Sequence, residues 1–211
     1  MPTVKQTYRQ FLQDNFAGLK LEVPLFYEWK YGLRFDLQNE RNDTKFCSSD
    51  KYFAEVVRRA SMLFEATFDS SDMLFFVCTE FQYRKRKIKL TNFAFRQINN
   101  LEKNEVYRTK ETWRYEPQKN FNVAFIYLTA NRINYKNILT AIGNAASSRL
   151  PSLDHKNIFF VNVSKKLIFH MYDDRGLDII ASDKETLRPI YNKYNDWILD
   201  YPREQIDEQF M

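Results

Sequence analysis

Glycine and proline are scarce in this chain, with 4 and 6 residues of 211, and there are 2 cysteines and 2 histidines. So few chain-breaking residues leave no Pro-, Gly- or Ser-rich linker and argue against disorder. Cys47 and Cys78 are too few for a disulfide framework, and each lies beside apolar neighbours that suit a buried, reduced thiol. No glycine-rich loop is present to cradle a phosphate. His155 and His170 have no neighbour at metal-ligand spacing, which speaks against zinc, and His170 suits a strand position. No local context supports a Ser-His-Asp or Cys-His arrangement. Neither metal nor cofactor is expected. The longest apolar runs, residues 73–78 and 123–130, are far shorter than the roughly 20 residues of a membrane-crossing helix. The first sixteen residues carry polar and charged side chains throughout, unlike a signal peptide, so the expected compartment is the cytoplasm, without a membrane contact.

What the chain has in plenty is aromatic residues, at 17%, and a length at which roughly 70% of the unfolded chain's surface can be buried. Its net charge of +5 is unevenly spread. Residues 170–211 hold ten acidic and five basic side chains, so the acid is concentrated at the C-terminal end and the base in the remainder. Such asymmetry sets encounter and partner choice rather than fold.

Apolar spacing predicts helices over residues 4–16, stopped by Gly18; 49–68, capped by Ser49; and 133–149, capped by Asn134. Strands are expected over residues 27–37, 73–83, 106–115 and 122–129, the last two pairing centrally. From residue 158 the pattern is a three-strand meander, over 158–163, 167–172 and 177–181. Its connections are too short for anything but antiparallel neighbours. A final helix follows, with capping-box spacing at Ser182 and Glu185, Pro189 in its first turn, and an aromatic face running through Tyr191, Tyr194, Trp197 and Tyr201. The expected fold is α+β: a mixed, largely antiparallel sheet packed by amphipathic helices. One domain over 1–211 is expected, with 1–130 and 131–211 as the alternative division.

Three clusters invite a functional reading. Tyr172-Asp173-Asp174-Arg175-Gly176-Leu177-Asp178 gathers three carboxylates and a guanidinium. Turn chemistry explains much of it, with Asp capping its own backbone and Gly176 at positive φ. An interaction surface or a Mg²⁺ site are the alternatives. In Arg84-Lys85-Arg86-Lys87-Ile88-Lys89, cations interleave with nearby aromatics, which suits phosphates and bases, or simply the guarding of a strand edge. Tyr191, Tyr194, Trp197 and Tyr201, with Asp196 and Asp200 beside their stripe, suit either core packing or a protein interface.

The segments Tyr172-Asp173-Asp174-Arg175-Gly176-Leu177-Asp178-Ile179-Ile180-Ala181 and Tyr194-Asn195-Asp196-Trp197-Ile198-Leu199-Asp200-Tyr201 resemble an uncharacterised bacterial family, mostly of Bacillus-like organisms, marked by a Tyr-Asp-Asp-Arg-Gly motif. The resemblance runs from about Ile133 onward. It departs from the family's Asp-Tyr-Asp-Arg-Glu tail at Pro202. It implies a bacterial, cytoplasmic protein and no mechanism.

These readings rank a non-enzymatic protein-binding module first, of the immunity or antitoxin kind. It would meet a basic toxin or similar partner through Tyr172, Asp173, Asp174, Arg175, Gly176, Asp178, Asp196, Trp197 and Asp200. A nucleic-acid or nucleotide-handling protein is second, using Arg84, Lys85, Arg86, Lys87 and Lys89, or Mg²⁺ at the acidic turn.

Overall fold

Seven strands form one sheet in the order β1-β7-β6-β5-β2-β4-β3, and every neighbouring pair is antiparallel. They are β1 (Gly32–Asp36), β2 (Met73–Phe81), β3 (Tyr107–Thr112), β4 (Asn120–Thr129), β5 (Lys156–Asn162), β6 (Leu167–Met171) and β7 (Gly176–Ala181). This is a computed structural model, describing residues 3–38, 49–81, 88–112, 119–145, 147, 149–154 and 156–211. The fold is α+β, and its C-terminal meander leads into a helix as the sequence predicts. The C-terminal meander β5, β6 and β7 sits as a block between β1 and β2, with β1 closing against β7.

Helices cover both faces of the sheet. On one face lies α1 (Val4–Phe16), started by a reciprocal cap between Thr3 and Gln6 and stopped by Ala17 and Gly18 in the left-handed region. It stacks Tyr8 on Phe125 at 4.5 Å and buries Phe16 in the core cluster that includes Phe75, Val77 and Phe159. On the other face lie α2 (Asp50–Thr67), α4 (Tyr135–Gly143) and α5 (Lys184–Lys193), burying Val56, Leu63, Ile138 and Leu187 against Phe76, Phe160 and Phe169. Ser49 caps α2 by accepting from the Tyr52 amide. A single helical turn, α3 (Phe93–Arg96), and a terminal helix, α6 (Arg203–Phe210), complete the order.

Several boundaries differ from expectation for local reasons. β3 pairs with β4 but sits at the sheet edge rather than centrally. α4 ends at Gly143, and Asn134 does not cap it through its side chain. α5 begins at Lys184, capped by Asp183 instead of Ser182. Pro189 therefore lies inside it, and the bond it cannot donate is one to the carbonyl of Glu185 in the first turn. The aromatic stripe is not one helix: α5 stops at Lys193, a 3-10 turn spans Asn195–Trp197, and α6 follows. The reason is tertiary. Ile198 bridges to Phe35, and the Leu199 amide donates to the Arg34 carbonyl at 2.9 Å, so residues 198–199 cover the β1 edge.

Candidate functional site

The outer strand positions at the β1 end of the sheet carry charge where packing calls for apolar side chains. Arg34 sits between Leu33 and Phe35 on β1, and Asp178 between Leu177 and Ile179 on β7, each pair directly opposite in register. His170 on β6 is opposite Asp178 on its other side, so Arg34, Asp178 and His170 form a row across three strands on the α1 face. Asp178 and His170 are fully buried.

Arg34 Nε stands 3.3 Å from Asp178 Oδ1, close enough for an ion pair but not aligned for a hydrogen bond; neither atom closes one. The other carboxylate oxygen accepts from the Phe26 amide at 3.1 Å. Burial pushes Asp178 up to about 6 despite the opposing pull of Arg34 and that amide. Burial, aided by the Arg34 charge, takes His170 down to about 3, so its ring is neutral. Neither ring nitrogen has a hydrogen-bond partner, and the ring stacks on Phe159 at 4.3 Å. The Arg34 guanidinium lies 5.0 Å from the ring of Tyr27 and 5.0 Å from that of Tyr172, a cation between two aromatic faces. Burial draws Arg34 down, but Asp178 and the Tyr172 hydroxyl more than offset it.

This cluster opens onto a cleft of about 370 Å³ lined by Tyr27, Arg34, Asp36, Gln38, Tyr172, Arg175, Leu199 and Tyr201. Its rim is unusual in leaving large aromatics bare: Tyr27 is 51% and Tyr201 86% exposed. A larger groove of about 750 Å³ runs between α2 and α4 past Phe53, Met62 and Leu150. Its charged groups include Arg58, paired with Glu55, and Lys136, paired with Glu65, ordinary exposed ion pairs on helix surfaces. The smaller cleft, with perturbed groups at its base, is the better candidate.

The acidic turn is arranged differently from its sequence reading. Its three carboxylates do not converge on a common ligand position. Asp173 accepts from the Arg175 amide at 2.8 Å and pairs with its guanidinium; Asp174 accepts from the Tyr52 hydroxyl at 2.7 Å; Asp178 is inside the protein. Asp178 and Gly176, both buried, are thereby removed from the expected interaction surface. Gly176 is not at positive φ either. A Cβ there would strike the Tyr172 hydroxyl and the Phe35 carbonyl, so close approach is what calls for glycine. Trp197 is half-buried beneath Arg58 and Arg59, at 5.4 and 5.1 Å, while Asp196 and Asp200 are exposed. Tyr172 and Arg175 do belong to the cleft, together with Tyr201 from the expected aromatic face and with Tyr27 and Arg34, which were not expected there. The available signal was a lone charge inside each of two apolar strands, which demands a partner of opposite sign.

Of the basic run, Arg84, Lys85, Arg86 and Lys87 lie outside the described residues, as do Cys47 and His155. Lys89 is exposed, and Ile88 lines a small pocket with Arg108 and Lys110 on the edge strand β3. Cys78 is buried, with its thiol raised to about 12 by desolvation. Among the described residues, no three His, Cys, Asp or Glu side chains are grouped to hold a metal ion, and no helix is long and apolar enough to cross a membrane.

A family model described as "Domain of unknown function (DUF3885)" matches residues 8–202. The uncharacterized protein YnaE of Bacillus subtilis (strain 168) is 28% identical over 210 residues, covering 90% of this chain and 96% of its own. No solved structure matches. The similarity thus reaches from α1 to Pro202, well beyond the part from Ile133 onward that carries the motifs, and so takes in Tyr27 and Arg34.

Proposed function

The chain belongs to the DUF3885 family, and on that premise we propose that it is a non-enzymatic protein-binding module of the bacterial cytoplasm, of the immunity or antitoxin type. Its contact surface is the cleft between Tyr27, Tyr172 and Tyr201. The observation that carries this is the exposure of Tyr201 and Tyr27 around two arginines. Tyrosine and arginine left on a surface at the mouth of a desolvated pocket are the residue types that dominate protein interfaces. Compact bacterial proteins without a catalytic signature commonly work by covering another protein's site, an analogy that supplies the immunity reading. With Asp178 used internally, the surface is of mixed sign. Asp196 is exposed, Asp200 is exposed but paired with Arg203, and Arg34 and Arg175 face the cleft.

The test is affinity capture from extracts of the host at low and moderate salt, with the natural protein and with Tyr201→Ala immobilised in parallel. A stoichiometric partner held by the former and lost at least tenfold by the latter is expected. No such partner, or equal retention by both, overturns the reading.

A nucleic-acid role is favoured by one observation, the meeting of Ile88, at the end of the basic run, with Arg108 and Lys110. Affinity for RNA that falls steeply with added salt would support it; salt-independent or absent binding would remove it.

A further inference from the structure

Arg34 has an uncommon combination of properties. Its side chain is only 11% exposed, it faces a buried carboxylate, and yet its Nε closes no hydrogen bond with that carboxylate. A guanidinium satisfied by Asp178 would present the paired, parallel N–H bonds that make Arg–carboxylate contacts strong. Here Asp178 stands behind the group and lowers the cost of burying its charge without engaging its fork. The guanidinium carbon lies over the rings of Tyr27 and Tyr172, 5.0 Å from each centroid, and the Tyr172 hydroxyl is a hydrogen-bond partner of the group. What is left of its surface opens into the cleft.

We infer that Arg34 is a receptor for a carboxylate carried by the protein partner, an acidic side chain or chain terminus inserted between Tyr27 and Tyr172. A carboxylate matches the flat, forked guanidinium in shape. It also matches in charge. Asp178 already balances much of Arg34, and Asp36 lines the same wall, so a monoanion fits where a doubly charged phosphate would face two carboxylates. Leu199 and Tyr201 at the mouth offer apolar surface to the stem that carries the group. The assignment rests on the cleft being the contact surface, and it deepens that reading by naming the group that enters.

It is tested without any partner, by following the Arg34 side-chain resonances in NMR while sodium acetate is added at constant ionic strength against sodium chloride, with inorganic phosphate as a separate arm. Acetate should give a saturable shift, chloride none, and phosphate a weaker response than acetate. Tyr27→Ala, at a half-exposed position that leaves the core alone, should weaken acetate at least fivefold. Arg34→Gln alone would strand Asp178, so the double variant Arg34→Gln/Asp178→Asn, which neutralises both groups with polar side chains, serves as the blank and should lose the saturable response followed through the Tyr172 ring. No saturable acetate shift, tighter binding of phosphate, or undiminished binding in the double variant overturns the inference. Acetate binding with no protein captured would leave Arg34 as a carboxylate site but remove the protein as the carrier of that group; a captured protein with no acetate response would keep the protein-binding reading and overturn the role of Arg34.

Discussion

Arg34 and Asp178 oppose each other across β1 and β7 with 3.3 Å between Nε and Oδ1, one side chain nearly buried and the other completely so. A buried pair offers little net stability over apolar residues, because desolvation of both ions offsets their attraction, but removing one member leaves a bare charge inside. Arg34→Met is therefore expected to cost roughly 3–5 kcal/mol. Arg34→Met/Asp178→Asn should recover at least half of that, since the Asn oxygen still accepts from the Phe26 amide. Urea midpoints at constant slope measure both. A double variant no more stable than the single one would show that the cost was lost packing against Tyr27 and Tyr172.

The same row sets an unusual dependence on pH. Asp178, raised to about 6, favours the folded state when protonated, so its contribution is full below its unfolded value and is lost as pH rises through about 6. His170, lowered to about 3, favours the folded state when neutral, so its contribution is lost as pH falls from its usual value of 6.5 towards about 3. Between about pH 4 and pH 6 the native state has gained a proton at Asp178 and the unfolded state one at His170. These two terms cancel there. Asp178→Asn should expose the histidine term, giving a loss of roughly 1.4 kcal/mol per pH unit on acidification through that window. His170→Phe, which keeps a ring against Phe159, should reverse the slope. Thermal melts from pH 3 to 8 for the three proteins test this, and parallel curves would refute it.

Gly176→Ala tests the close approach at the start of β7. The added methyl meets a flexible group, the Tyr172 hydroxyl, and a rigid one, the Phe35 carbonyl of the paired strand at 2.5 Å. A destabilisation of roughly 2–4 kcal/mol is expected, of the kind seen when a core is overpacked and a strand pair is forced apart. Tyr172→Phe in the same chain should restore little of it, because the carbonyl remains. Full rescue would place the clash at the hydroxyl alone.

The meander was legible because its information is local. Short apolar runs bounded by short polar turns define β5, β6 and β7 without reference to the rest of the chain, and Ser49 before an apolar stripe defines α2 in the same way. The site was only half legible. Tyr172 and Arg175 stood out by their density of charge, whereas Arg34 and Tyr27 reach them only through β1–β7 pairing, across a sequence separation no local pattern reports. The same limit explains the final helix. Tyr194, Trp197 and Tyr201 have helical spacing, but Ile198 and Leu199 bond to β1 instead, and Tyr201 is left in solvent. Gly176 was misassigned because close backbone approach and a left-handed turn select the same residue.

Tyr52 links α2 to the motif turn and so offers the last test. Its ring is buried in the core while its hydroxyl donates to Asp174 at 2.7 Å and accepts from the Gln38 side chain at 2.7 Å. Gln38 lines the cleft, so one hydroxyl ties a cleft wall to the turn that carries Tyr172 and Arg175. Tyr52→Phe keeps the ring and deletes these bonds, and a loss of roughly 1–2 kcal/mol is expected, since a partly buried carboxylate loses a donor. Because the cut lies between two elements rather than within one, the effect should concentrate locally. Amide exchange should speed up at residues 173–175 and at Gln38 while β5 and β6 keep their protection. Asp174→Asn, which still accepts from the tyrosine, should leave exchange at those sites close to normal. Uniform acceleration across the sheet in Tyr52→Phe would instead mean that the hydroxyl supports the core as a whole and does not specifically fix the turn beside the cleft.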